Sequence, residues 1–312
     1  MSAAIQLQGV SKSYGSVQAV QQLDLEIPEG SLYGLIGPNG AGKTTTFGML
    51  SGFLRPTTGE VRVRGHLLTT TRPPVGHVLA LPQDAQLPDN KKVIAVLVHL
   101  ARLQGMSTDE ATAKARDALG KVGLADLGER KVRALSHGQR RRVGIAQTLI
   151  GNNEVILFDE PTAGLDPRTA LELGQLIKSL HAERTIVLSS HNLAEVESLC
   201  THAAILDKGH LVAAGTMDEI KGTGQLLFVN LAKPVDDADK IAAALAAIET
   251  VGKVTPSPEK DRFAVECTDA EKVDDVTNAV LQALITSGAS VKGVERGKRL
   301  EERFMETTAA SK

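Results

Sequence analysis

Across residues 5–222 short apolar runs alternate with stretches of helical period. That alternation predicts an α/β domain in which a largely parallel sheet is covered by helices. Residues 32–36, 155–158 and 186–189 are strongly apolar and read as buried central strands. Residues 93–130 break the rhythm. Apolar positions there recur at helical spacing over 93–104 and again over 108–122, and Asp109 and Glu110 stand in the first turn of the second segment, where the helix dipole favours acids. A helical insert over about residues 90–150 is therefore expected.

Beyond residue 222 the order changes to a strand (226–231), a helix (238–248), two strands (252–255 and 263–267), a helix (271–286) and a strand near Val291. This is the split βαβ, or ferredoxin-like, order. An amphipathic helix, "GKRLEERFMETT", closes the chain. The glycine-bearing "KGTGQ" is the expected linker, so the division predicted is residues 1–222 and 223–312. At 312 residues the chain is long enough for one domain of common size and a smaller second one.

Composition narrows the function classes. A formal net charge of −2 exerts no general pull on nucleic acid. No apolar stretch approaches the roughly 20 residues that span a bilayer, and "MSAAIQLQGV" has no signal-peptide pattern, so the chain is expected to be soluble. Cys200 and Cys267 lie far apart without ligand-like spacing, which predicts two buried thiols in a reducing compartment.

The most specific signal is "GLIGPNGAGKTTT", in which an apolar strand runs into G-x-x-x-x-G-K-T and a helical pattern starts at once. The loop comprises Gly37, Pro38, Asn39, Gly40, Ala41 and Gly42, whose glycines let the backbone curl so that successive N–H groups face one concave site, and Lys43, Thr44 and Thr45 open the helix behind it. Lys43 supplies a charge for the β- and γ-phosphates of a nucleotide, and the Thr44 hydroxyl a ligand for Mg²⁺. In "VILFDEP" four apolar residues carry Asp159 and Glu160 to the carboxyl end of a strand, the ligand edge of open α/β sheets. Asp159 suits Mg²⁺ and Glu160 the attacking water. A third strand, "RTIVLSSH", brings His191 to the same edge, where its ring either approaches the γ-phosphate or is a surface histidine before a helix.

"LSHGQRRR" admits three readings: a Ser-His nucleophile, a nucleic-acid patch, or a helix start that grips phosphate. Ser136 and Gln139 form the S-x-x-Q capping pattern, and Val143, Ala146, Gln147 and Ile150 follow at helical spacing. Adjacent Ser and His side chains diverge in such a turn, and the three arginines lack interleaved aromatics. Gly138 leaves the first amides approachable, so the phosphate reading stands. One chain with two grips for one nucleotide implies that the second serves a partner's nucleotide in a twofold dimer.

Together these residues resemble the ATP-binding subunits of ABC transporters, over about residues 5–220. "LSHGQ" is similar to that family's LSGGQ signature, with His137 in place of its first glycine. The resemblance implies that Tyr14 stacks on adenine and that Gln83 senses Mg²⁺ and water and couples to the membrane partner. It implies also that Asp166, in "GLDP", lies on the loop crossing the dimer interface, and that His191 is the switch histidine. The corresponding plain readings are a core aromatic, a loop amide and a helix cap. The segments around residues 96–105 and 207–220, with "LEERFMETT", resemble stand-alone ATPase subunits of prokaryotic exporters. That implies a homodimer, or a pair with a similar ATPase, held at the inner face of the plasma membrane by permease subunits, with Lys43, Gln83, Glu160 and His191 carrying the hydrolysis. The alternative is a soluble ABC ATPase of a non-transport assembly. Such machines carry tandem modules or long inserts, neither of which is present.

Overall fold

The computed structural model describes residues 2–68, 77–151, 153–222, 226–269 and 272–309. Residues 223–225 of the expected linker and the expected helix start at Glu271 lie outside them. The chain divides into two units, Met1–Ala214 and Gly215–Lys312.

The first unit opens with two twelve-residue strands, β1 (Ala3–Tyr14) and β2 (Val17–Pro28), paired antiparallel across a turn at Gly15, whose φ is +59°. Their alternation of apolar and polar residues buries Ile5, Leu7, Leu23, Leu25 and Ile27 on one face. β3 (Leu32–Ile36) follows, buried at all five positions, and leads into α1 (Lys43–Leu50). β4 (Thr58–Val63) and β5 (His66–Leu67) return to the first sheet, which has the order β2-β1-β4-β5 and antiparallel pairs throughout. The alternation along the chain predicts one largely parallel sheet, whereas this unit has two. Period-two patterning identifies a strand but says nothing of its neighbour's direction.

The second sheet holds β6 (Val78–Leu81), β7 (Val155–Asp159), β8 (Thr185–Ser190), β9 (His202–Asp207) and β10 (His210–Thr216), in the order β10-β9-β3-β8-β7-β6. From β9 through β3, β8 and β7 to β6 the pairs are parallel. Register decides where the chemistry goes. Leu35 and Asp159 both lie opposite Ser189, and Ile36 lies opposite Ser190, so β3, β7 and β8 end level at one carboxyl edge. The continuous burial of these strands is the mark of a parallel sheet covered on both faces.

Between β6 and β7 the helical insert comprises α2 (Val93–Leu103), α3 (Thr108–Lys121) and α4 (His137–Leu149). α3 starts where Ser107 accepts a hydrogen bond from the Glu110 amide at 3.3 Å. α4 buries Val143, Ile145 and Ala146 completely. α5 (Pro167–Leu180) and α6 (Leu193–Leu199) follow β7 and β8.

The second unit begins with α7 (Met217–Lys221), started by a Thr216–Glu219 capping box. β11 (Leu226–Leu231), α8 (Ala238–Ala246), β12 (Val251–Pro256), β13 (Arg262–Cys267), α9 (Val273–Thr286) and β14 (Val291–Arg296) then form an antiparallel sheet of order β12-β13-β11-β14. That is the ferredoxin-like arrangement. Leu227, Val229, Phe263, Val265, Val276, Val280 and Leu284 are its buried core, and α10 (Leu300–Ala309) closes the chain. The division falls at Ala214, ahead of the boundary expected at Gly222, because α7 is tied into this unit: the Lys298 amide donates to Lys221 O at 2.8 Å.

Candidate functional site

The loop after β3 is shaped by backbone that only small residues fit. A Cβ on Gly37 would stand 2.5 Å from Leu206 O and 2.8 Å from the Ala41 Cβ, and one on Gly42 would stand 2.5 Å from Ala19 O. Gly42 also holds φ at +99°, a conformation that L side chains rarely adopt. It forms the N-cap of α1 without a side-chain cap, so the first amides of that helix have no intrahelical acceptor. Lys43 is folded back over this concavity, its Nζ donating to Gly37 O at 2.7 Å and Pro38 O at 3.2 Å. Burial holds the Lys43 ammonium below the ordinary lysine range, and the negative charges of Glu160 and Asp159 oppose that depression. Uncapped amides and a buried cation whose hydrogen bonds go to Gly37 O and Pro38 O make a site suited to a bound anion.

Asp159 and Glu160 stand at the end of β7. The Ser189 hydroxyl serves both residues, donating to Asp159 Oδ1 at 2.5 Å and accepting from the Glu160 amide at 2.9 Å. Glu160 itself has φ +48°, an unusual left-handed conformation for a side-chain-bearing residue, costing on the order of 1 kcal/mol. The Ser189 contact helps to hold it. So aimed, Glu160 Oε2 lies 2.6 Å from His191 Nδ1, with the carboxylate side chain 13% exposed and the imidazole 64% exposed. Glu160 and His191 line a recess of about 400 Å³ together with Asn39 and Gln83. Three strand ends and the loop around Gln83 therefore converge on one pocket.

Gln83 is held by its backbone, whose carbonyl accepts from Arg141 Nη1 at 2.5 Å. Tyr14, at the tip of the β1–β2 hairpin, is 48% exposed, and Lys12 Nζ lies 5.3 Å from its ring centre. It is not a core aromatic. Thr44 and Thr45 occupy the first turn of α1.

Ser136, Gly138 and Gln139 form the start of α4, lining a separate cavity with Gly164, Asp166 and Thr169. The capping box is complete: the Gln139 amide donates to Ser136 Oγ at 3.2 Å and the Ser136 amide to Gln139 Oε1 at 3.0 Å. Because Ser136 Oγ accepts in this contact, its own hydrogen stays available to a ligand. Gly138 has a second reason to be small, since a Cβ there would come within 2.6 Å of Thr169 Cγ2. Asp166 is the N-cap of α5, accepting from the Thr169 amide at 3.0 Å, and hydrogen bonds from the Thr169 hydroxyl first and its amide second lower its pKa. The three arginines that sequence spreads over an outer face are each engaged: Arg140 with Asp89, Arg141 with Gln83 O, and Arg142 with Glu172 and Val122 O. They anchor the insert rather than forming a free basic patch.

Within this chain the start of α4 and the loop after β3 line different cavities. Sequence reading missed Ser189, whose only signal was a small hydroxyl next to the strand end. It also missed Glu195, which accepts from Thr162 and Ser190.

The ABC transporter family model matches residues 20–163. Along almost its whole length the chain is similar to the daunorubicin resistance ATP-binding protein DrrA3 of Streptomyces coeruleorubidus, with 34% identity over 310 residues, 98% of this chain and 96% of that protein. The Nod factor export ATP-binding protein I of Cupriavidus metallidurans is 36% identical over 222 residues, 70% of this chain and 73% of that one. Among solved structures, a dimeric ATP-binding cassette in a post-hydrolysis state bound to ADP and Pi matches with a TM-score of 0.62 at 25% identity, covering 68% of this chain and 98% of that chain.

Proposed function

Because the chain belongs to the ATP-binding proteins of the ABC transporter family, we propose that it is the ATP-hydrolysing subunit of an exporter. It pairs with a second ATPase subunit and drives a separate membrane permease. The export reading rests on relatives named for drug resistance and for Nod factor export. No described helix is long and apolar enough to cross a membrane, so a membrane-spanning partner is part of this reading.

Residues 37–45 receive the triphosphate of their own chain, and Tyr14 packs on its base. Ser136, Gly138 and Gln139 of a second copy close on the same phosphates, with Asp166 at the crossing. Mg²⁺ suits the residues present: Thr44 is exposed on the first turn of α1, Asp159 ends the neighbouring strand and Gln83 lines the recess. Among the described residues no group of three or more His, Cys, Asp or Glu could hold a metal alone, which suits an ion that keeps phosphate oxygens and water as ligands. Bound there, the ion neutralises charge developing on the transferred phosphoryl group.

Lys43 leaves the carbonyls of Gly37 and Pro38 for the phosphates, where it regains a counter-charge. Glu160 takes a proton from the attacking water, and His191 holds it and the terminal phosphate in line. The groove of about 580 Å³ lined by Gln83, Asp84, Asp89, Arg140 and Arg141 receives the permease.

The observation that carries the reading is the 2.6 Å Glu160–His191 pair in a recess shared with Asn39 and Gln83. Glu160→Gln keeps size and hydrogen bonding but removes the base. Steady-state turnover is expected to fall by about a hundredfold or more with nucleotide binding retained. Wild-type turnover in that variant would refute the role given to Glu160.

A further inference from the structure

Glu195, one turn into α6, is a carboxylate that the mechanism above does not use. Its Oε2 accepts from the Thr162 hydroxyl at 2.9 Å and from the Ser190 hydroxyl at 3.0 Å. Ser190 ends β8, is 2% exposed, and accepts from the Asn192 amide at 3.0 Å, which places His191 between two held residues. Thr162 begins the turn that reaches Asp166, with the Leu165 amide donating to Thr162 O at 3.2 Å. One oxygen thus joins the strand end carrying His191 to the loop carrying Asp166.

The other oxygen has the opposite character. Glu195 Oε1 is buried without a hydrogen-bond partner among the described residues. An acid that leaves one buried oxygen unsatisfied is a poor stabilising device, because that oxygen has lost its hydration and gained nothing. Burial, and after it the Glu195 charge, push up the pKa of the neighbouring Cys200 thiol, and the Lys178 cation opposes them. A purely structural role would be filled as well by apolar packing.

We infer that Glu195 is a positioning residue that couples the hydrolytic site to the dimer-facing loop, by holding Thr162 and Ser190 on a single carboxylate oxygen. When a second copy presses on the loop after Thr162, the displacement reaches His191 through this joint, and the occupancy of the recess is transmitted back by the same route. The inference rests on the shared-site reading proposed above.

Glu195→Ala, Glu195→Gln and Thr162→Val are made in the full-length chain, each alone and with Glu160→Gln. ATP-dependent dimerisation is followed by sedimentation velocity in the Glu160→Gln background, and kcat, KM and melting temperature are measured without it. Loss of two hydroxyl–carboxylate bonds is expected to lower kcat and to weaken dimerisation by about tenfold each, with KM for ATP changed less than about twofold. Melting temperature stays within a few degrees of wild type. Glu195→Gln keeps one oxygen for both hydroxyls and is expected to restore both readouts to within about threefold. Thr162→Val combined with Glu195→Ala should be no worse than Glu195→Ala alone, since both remove the same joint.

Additive losses, an unrescued Gln variant, or a fall in melting temperature that accounts for the lost activity would overturn the inference. A Glu160→Gln parent that dimerises, with Glu195→Ala dimerising and hydrolysing equally well, refutes the joint alone. A parent that stays monomeric refutes the shared-site reading and the joint with it.

Discussion

The two helix starts proposed to face phosphate are built in opposite ways. α1 begins on Gly42 with no side-chain cap and no acid in its first turn, and Lys43 is folded onto loop carbonyls. α4 begins on a complete Ser136–Gln139 capping box that satisfies the amides of both residues internally. The first start is short of an acceptor until phosphate arrives. The second is stable unaided, its cap contributing about 1 kcal/mol, and leaves the amides of His137 and Gly138 without intrahelical acceptors. That difference fits the proposed roles, in which α1 takes its own chain's phosphates and α4 closes over a nucleotide another chain has already bound.

Three changes break or sharpen that contrast. The largest effect is expected from Lys43→Met. Loss of the charged contact should weaken ATP binding at least about a hundredfold in a titration with a fluorescent ATP analogue. Stability should move the other way. Because the folded state depresses the Lys43 pKa, its charged form costs stability at neutral pH, and the cost is relieved only as pH rises through that depressed value. The nucleotide-free melting temperature of Lys43→Met should therefore not fall, and the rise in wild-type stability as pH climbs into the alkaline range should be reduced. A large thermal loss would show that the lysine stabilises the empty loop.

Gln139→Glu comes next. Capping boxes accept either residue, so the melting temperature should hold, while the added negative charge meets the partner's phosphates. ATP-dependent dimerisation is expected to weaken by about tenfold or more, with ATP affinity of the single chain unchanged. If single-chain affinity fell instead, α4 would belong to its own chain's nucleotide.

The smallest effect is expected from Gly138→Ala. The new methyl would collide with Thr169 Cγ2, and overpacking of this kind costs about 1–3 kcal/mol. Adding Thr169→Ser removes that methyl and should return the melting temperature to within a few degrees of wild type. Dimerisation should stay impaired in the double variant, because the methyl still blocks phosphate. Full recovery would leave Gly138 as a packing residue only.

Much of this contrast was legible in the chain. The glycine spacing ahead of Lys43 and the S-x-x-Q pattern at Ser136 are local, and local geometry follows from local sequence. So did the strand order of the second unit, where each element has its own periodicity. What was not legible depends on register between distant strands. Ser189 serves Asp159 and Glu160 only because β7 and β8 end level, and the φ of +48° at Glu160 is imposed by that contact and its turn. The antiparallel sheet of β1, β2, β4 and β5 was hidden because β4 pairs with β1 across more than forty intervening residues. The division at Ala214 had a readable sign in the Thr216–Glu219 capping box, which starts a helix ahead of the glycine-bearing linker.

The central claim is that each nucleotide is held by the loop of one chain and the α4 start of another. It is tested most directly by mixing two inactive variants, Lys43→Met, which keeps an intact α4 start, and Ser136→Arg, which keeps an intact phosphate loop. In a randomly paired mixture half of the dimers are mixed, and each mixed dimer has one of its two sites assembled from unaltered parts. The mixture should recover about a quarter of wild-type ATP hydrolysis, although each variant alone is inactive. A mixture as inactive as its components at every ratio would contradict the account.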